Sequence, residues 1–224
     1  MNGPPAGNDL AAAADAFAAA RALIHSRQTI MPRRLQEPGP DAGQLRELLA
    51  LAAAAPDHGQ LTPWRFVVVP RAQRARLADA FALALTDRDA AASAEQVAAA
   101  REKAHRAPML IVVVACLGPR EPDIPAPERL LSAGAAVQNL LLGAHAMGFG
   151  TSLTSGKAMA SSRLRALLAL AEGELAVCCI NVGTVASRKL RPRPRPQPEQ
   201  FTSTLGDPPP AASPEPPAGH APPG

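Results

Sequence analysis

Three uninterrupted apolar runs decide most of what this chain can fold into. They are residues 65–69 (RFVVV), 109–116 (MLIVVVAC) and 175–185 (LAVCCINVGTV). A half-exposed strand alternates apolar and polar side chains, because successive side chains point to opposite faces of a sheet. These runs do not alternate cleanly, so each predicts a strand covered on both faces. The cover is available in long alanine-rich segments, which predict helices over 10–26, 42–54, 71–85, 94–106, 127–147 and 161–171. Asp41 is placed to cap the second helix, and Ser161 or Ser162 the last. A weaker fourth strand is predicted over 148–155. The resulting order is not the strict βαβ alternation of a dinucleotide-binding fold, and no G-x-G-x-x-G follows the first strand. A sheet buried between helical layers is favoured, and no internal repeat is visible.

Proline marks where that unit should stop. Twelve of the 25 prolines lie between Pro192 and Pro223, and proline has a fixed φ and no N–H to donate, so it suits neither helix interiors nor central strands. The tail from about residue 206 is expected to be disordered or polyproline-like, and residues 1–9 read the same way. Residues 10–205 are left as one compact domain of ordinary size. The net charge of +4 is equally local: Arg188, Lys189, Arg191, Arg193 and Arg195 carry +5, leaving the remainder at −1. Such a cluster can hold a phosphate-bearing ligand or simply keep a tail soluble.

Other classes are disfavoured by what is scarce. One Trp, five Phe and no Tyr leave no platform for stacking bases, so no nucleic-acid partner is expected. The Ala-rich stretch 10–24 carries Asp15 and Arg21, which reads as an amphipathic helix and not as a signal or membrane span. Cys116, Cys178 and Cys179 all fall within strand-like runs without metal-ligand spacing. Buried, reduced thiols in a cytoplasmic protein are the expectation, with Cys178 and Cys179 on opposite strand faces.

Four short stretches are unusually specific in residue type. Ser26-Arg27-Gln28-Thr29 ends the first helix, and a cation plus hydroxyl there suits either an anionic ligand or the helix dipole. Residues 55–66 (APDHGQLTPWRF) form a turn-rich passage into the first strand. Residues 148–156 (GFGTSLTSG) combine glycines with hydroxyls; they either expose backbone N–H groups or simply close a helix at Gly148. Residues 183–193 run from a strand end into the basic cluster.

Together these stretches resemble the nitroreductase family of flavoproteins, particularly its short members. Such proteins carry an Arg-Arg-Ser-like start, an Ala-Pro-Asp-His or Ala-Pro-Ser loop ending in Pro-Trp, a Gly-x-Gly segment after the central helix, and a Gly-x-Pro turn before a basic end. Here those motifs appear as Arg27-Gln28-Thr29, Ala55 to Phe66, Gly148 to Gly156, and Gly183-Thr184-Val185 with Lys189 and Arg191. The resemblance covers about residues 23–205. It implies an α+β fold with a central, mostly antiparallel sheet covered by helices, and an obligate homodimer that completes its flavin site across the interface.

It further implies FMN as cofactor, NADH or NADPH as hydride donor, and ping-pong transfer through flavin N5 to a nitroaromatic, quinone or similar small acceptor. The FMN phosphate wants Arg or Lys, which Arg27 and Lys189 or Arg191 would supply. Gln28, Thr29 and His58 suit the ring's pyrimidine rim, and backbone groups at Leu153, Thr154 and Ser155 suit N5. No catalytic side chain is implied, because the cofactor carries the chemistry. His58 could equally pair locally, and Trp64 reads as core. The chain also departs from the family pattern: Gln28 replaces a second arginine, Ala54 a basic residue, and Leu153-Thr154 a Trp-Arg pair. These losses motivate an alternative, a non-catalytic flavin-binding or sensing protein. A third reading makes the Pro/Arg tail a partner-binding segment.

Overall fold

A computed structural model describes residues 7–121, 123–188 and 194–206. The chain divides into two compact units, 1–188 and 189–224. In the second, the described residues include a 3-10 turn at Pro198–Gln200, in which Thr202 Oγ1 donates to the Pro198 carbonyl at 2.8 Å.

The first unit is built on a five-stranded sheet: β1 (Leu35–Gln36), β2 (Trp64–Val68), β3 (Met109–Cys116), β4 (Gly150–Thr154) and β5 (Glu174–Val185). The order is β1-β5-β3-β2 with β4 also on β5, and all four ladders are antiparallel. The described residues add the α-helices α1 (Gly7–Ser26), α2 (Ala42–Ala53), α3 (Arg74–Thr86), α4 (Ala94–Glu102), α5 (Ala126–Ala146) and α6 (Ser162–Leu167). This is the α+β architecture expected. β1 was not expected, since two residues carry no pattern.

Both faces of the sheet are covered, which is why the three runs do not alternate. On β3, Ile111 and Val113 pack with Leu140 of α5 and Leu48 of α2, while Leu110 and Val112 pack with Leu77 of α3 and Leu164 of α6. Cys178 and Cys179 fall into these two opposite layers, and Trp64 is buried in the α5 layer. Val113 faces Cys178 while Val114 faces Ala176, so Val177 is an extra residue bulged out of the ladder.

Helix limits follow from local chemistry. Asp41 caps α2 in a reciprocal capping box with Gln44, and Ser93 does the same for α4 with Gln96. Ser161 caps α6, with Leu164 N–H donating to its Oγ at 3.2 Å. Two helices stop short of the pattern. The residues after α4 turn because buried Arg74 captures the carbonyls of Ala104 at 2.6 Å and Ala107 at 3.3 Å. α6 ends at Leu167 because Ala169 turns left-handed, and the following turn is held by Arg165 on the Ala171 carbonyl and by the Ala171 N–H on Glu174.

Candidate functional site

α5 has two decorated ends. At its last turn, His145 Nε2 lies 2.8 Å from Ser26 Oγ, the final residue of α1. Beyond Ser26 the chain leaves the helix and meets the sheet: Thr29 forms a parallel bridge with Thr151, and Ile30 N–H donates to the Thr151 carbonyl at 2.8 Å. Arg27, Gln28 and Thr29 are thereby carried to the edge of β4 that β5 does not use. Leu153 and Thr154 lie further along β4, with Ser155 just past its end; Thr154 is roughly 10 Å along the strand from Thr151. Burial, then the charges of Arg188 and Arg27, hold the His145 pKa below its ordinary value of 6.5. Both charged groups that act on His145 are cations, so this end suits an anion.

The hydroxyls along this edge are individually directed. Asn181, 1% exposed, faces Ser152 across the β4–β5 ladder. Its Nδ2 donates to Thr154 Oγ1 at 3.0 Å and to the Ser152 carbonyl at 3.4 Å. Ser155 Oγ donates to the carbonyl of the bulged Val177 at 2.9 Å. The Ser152 hydroxyl, 3% exposed, has no partner among the described protein atoms. The weaker strand expected over 148–155 is present as β4, with Gly148 at φ +88° closing α5 before it.

At the first turn of α5, Glu128 Oε2 lies 2.7 Å from His58 Nδ1, a pairing 70 residues apart in sequence. A carboxylate can only accept, which places the imidazole proton on Nδ1 and leaves Nε2 outward. The loop carrying His58 is tightly turned: Gly59, Gln60 and Thr62 all have positive φ, Asp57 Oδ2 accepts from Thr62 N–H at 2.6 Å, and Arg120 holds the Leu61 carbonyl. Buried Arg129 fixes the neighbouring loop through the carbonyls of Ile124, Arg120 and Glu121. Asp57 Oδ1 is buried without a partner among the described residues. Ala54 is exposed at the end of α2, one turn after Leu51, whose carbonyl accepts from Asn139 of α5 at 3.1 Å.

Seventeen residues separate Glu128 from His145, roughly 25 Å of helix. Within one chain, His58 and the Arg27 segment therefore do not converge on one small molecule. Lys189 and Arg191 lie outside the described residues. His145, Asn181 and Glu128 were not singled out from sequence. Asn181 had a signal, as the one amide inside an apolar run; the other two had none.

Two surfaces stand out. From Ala11 to Ser26 only Leu23 is even half-buried, and Phe17 is 70% exposed. α5 presents Leu131, 77% exposed, in line with Gly134, Ala135, Gln138 and Leu142 at helical spacing. Among the described residues no His, Cys, Asp or Glu cluster could hold a metal ion, and no helix is long and apolar enough to cross a membrane.

An open antiparallel sheet between helical layers, with a cationic helix end paired to its edge strand, defines an α+β protein with a cationic rim. Comparison with known proteins gives that class a family. The nitroreductase family model matches residues 24–184. A "Putative NAD(P)H nitroreductase" of Haemophilus influenzae is 35% identical over 173 residues, 77% of this chain and 93% of that protein. The "Putative NAD(P)H nitroreductase YdjA" of Escherichia coli K12 is 34% identical over 67% of this chain and 81% of its own length. Among solved structures, a nitroreductase-like protein of Bacillus cereus superposes with a TM-score of 0.70 at 22% identity, covering 83% of this chain and 95% of its own. The chain belongs to the nitroreductase family.

Proposed function

We propose that this chain is an FMN-dependent oxidoreductase that takes reducing equivalents from NADH or NADPH and passes them to a nitroaromatic, quinone or similar acceptor. The observation that carries this reading is the pairing of the Arg27–Thr29 segment with the edge of β4. It joins a cation, suited to a phosphate, to a row of hydroxyls and backbone groups suited to a polar ring edge. The names of relatives support it: two are described as NAD(P)H nitroreductases, and a structural neighbour at 18% identity and TM-score 0.64 is described as an FMN and NADPH-dependent nitroreductase.

The donor set fits FMN. Arg27 would take the phosphate; Gln28, Thr29, Thr154 and backbone groups from Leu153 to Ser155 would line the ring. Bound FMN supplies hydride acceptance and donation at N5, which makes ping-pong kinetics the expected pattern. The protein's own part is placement: His145 holds the end of α1 through Ser26, β4 fixes Thr29 by backbone pairing, and Glu128 orients the His58 ring. His58 and Ala54 reach such a ligand only from a second copy of the chain, so the proposed unit is a homodimer with shared sites. The uncovered α1 and the exposed Leu131 to Leu142 stripe support that assembly. Three free cysteines, two of them buried, support a cytoplasmic setting.

The test is a visible spectrum of the purified chain with light scattering. A yellow dimer that bleaches with NADPH or NADH and recolours with a quinone is expected. A chain that takes up no FMN at micromolar concentration overturns the reading, and a flavin-loaded monomer overturns the shared site. The cations replaced at Gln28, Ala54 and Thr154 favour a second reading, flavin binding without turnover, which predicts a yellow protein that does not bleach.

A further inference from the structure

We infer that Asn181 is a positioning residue that occupies the inward side of the Thr154 hydroxyl and so turns its proton outward, toward the flavin ring. The inference rests on the flavin reading above. Asn181 lies in the centre of β5, flanked by fully buried Ile180 and Val182. A buried primary amide in such a run is costly unless its hydrogens are used. Both are used, and their direction is not ambiguous. A backbone carbonyl can only accept, so the amide atom 3.4 Å from the Ser152 carbonyl must be the nitrogen. That same nitrogen is 3.0 Å from Thr154 Oγ1, so Thr154 accepts there. The Thr154 proton is not spent in this bond and remains for a partner outside the sheet.

The neighbouring hydroxyl is set the other way. Ser155 Oγ gives its proton to the Val177 carbonyl, which the bulge has released from the β3–β5 ladder. Two adjacent hydroxyls at the end of β4 thus differ: Thr154 keeps its proton available, whereas Ser155 has spent its own and can only accept. Thr154 stands well along the strand from the segment that carries Arg27. A ligand whose phosphate sits at Arg27 would bring its ring, not its phosphate, toward Thr154. A donor aimed at a ring that gains negative charge on reduction holds the reduced form more tightly than the oxidised form. Asn181 therefore acts on cofactor affinity and potential without touching the cofactor.

The experiment uses the full-length chain, with FMN affinity from fluorescence quenching and the midpoint potential of the bound cofactor. Asn181→Asp presents an acceptor to Thr154 and turns its proton inward. It should weaken FMN binding about tenfold and lower the midpoint potential. Asn181→Leu, similar in volume, frees the hydroxyl to rotate and should give a loss in the same direction of about threefold. It keeps the test open if the buried carboxylate prevents folding. In a Thr154→Val background either Asn181 variant should change affinity less than twofold, and Thr154→Ser should restore the wild-type response. A loss that persists in the Thr154→Val background makes Asn181 merely structural and overturns the inference. Wild-type FMN binding with unchanged affinity and potential in both Asn181 variants overturns it as well, leaving the flavin reading intact. A wild-type chain that binds no FMN overturns both.

Discussion

The two ends of α5 hold their candidate residues by different means. At the His145 end, placement is by backbone: Thr29 and Ile30 pair with β4, itself laddered along β5, so Arg27 inherits the rigidity of the sheet. At the Glu128 end, placement is by side chains: Asp57, Arg120 and Arg129 staple two irregular loops to each other, and His58 leans on Glu128. Charge divides in the same way, with Arg27 and Arg188 around His145 and a His–carboxylate pair at the far end. The cationic, rigid end is suited to fixing an anion. The looped end is suited to adapting against a surface another molecule presents. Neither end alone offers a closed site.

The sharpest way to break this division is to damage each end in a different chain. Arg27→Ala should weaken FMN binding about 100-fold, the scale of a lost charged hydrogen-bonded contact. His58→Ala should weaken it less, about tenfold. If the two ends meet only across a dimer, refolding an equal mixture of the two variants creates one intact site in each mixed dimer. Random assortment makes about half the dimers mixed, each with one good site of two, so activity should return to about a quarter of wild type. Activity no higher than the mean of the two separate variants would show that each chain supplies both ends itself.

The looped end should also be the one that acid loosens. Arg65 of β2 grips Glu174 of β5 with two hydrogen bonds, at 2.9 and 2.8 Å, at the edge of the sheet from which the stapled loops depart. The Cys116 N–H on the Pro63 carbonyl and the Leu117 N–H on the Gly173 carbonyl tie the same edge. The Arg65 hydrogen bond, foremost, holds the Glu174 pKa at about 2, against an ordinary 4.5. A carboxyl with a depressed pKa stabilises the fold above its unfolded value, so this contribution is complete above pH 4.5 and is lost as pH falls toward 2. Glu174→Gln should cost about 2 kcal/mol at pH 7, between an exposed and a fully buried pair, and much less at pH 3. Hydrogen exchange should quicken around residues 57–62 before it does around Thr29 and Ile30; the reverse order would sink the assignment of this ion pair to the looped end.

Legibility from sequence follows the same division. Three strands, β2, β3 and β5, were readable because burial on both faces leaves a continuous apolar run, and β3 fell at 109–116 as expected. The Arg27–Thr29 and Leu153–Ser155 segments were readable as site candidates because motif and fold edge coincide. What the sequence did not disclose was pairing at a distance. Nothing near Glu128 marks it as the partner of His58, and nothing near His145 marks it as the partner of Ser26, since both bonds depend on where α5 passes. Nothing in the sequence singles out Arg74 and Arg129, yet both are buried because backbone carbonyls of irregular loops converge on them. Glutamine capping boxes at α2 and α4 were partly visible, through Asp41 alone.

A pair of glycine substitutions compares the ends at smaller scale. Gly148 and Gly59 both have left-handed backbones, at φ +88° and +72°. A Cβ at Gly148 meets nothing within 4 Å, whereas one at Gly59 would press on Ile124 Cδ1 in the neighbouring loop. Gly148→Ala should therefore show backbone strain alone, about 1 kcal/mol. Gly59→Ala adds a clash that the stapled loops must absorb, for about 2 kcal/mol in all. Equal losses in chemical denaturation would mean that the looped end yields freely and is not stapled.

The smallest effect expected is at His145, and it reports on the cationic end directly. Its pKa is depressed chiefly by burial and then by Arg188 and Arg27. A histidine held neutral in the folded state leaves stability intact above its unfolded value of 6.5 and removes it as pH falls from there toward the folded value. Wild-type melting temperature should therefore fall as pH drops below 6.5, by an amount smaller than either glycine variant produces. His145→Gln keeps a hydrogen-bonding group for Ser26 without a titrating ring, and should flatten the slope. Saturating inorganic phosphate should flatten it too, because an anion at this end offsets the field of Arg27 and Arg188 and lets His145 take its proton at less cost. A slope that phosphate leaves unchanged would mean that the cations here are spent on the protein itself, and the contrast between an anion-holding end and an adaptable end would fail at its stronger side.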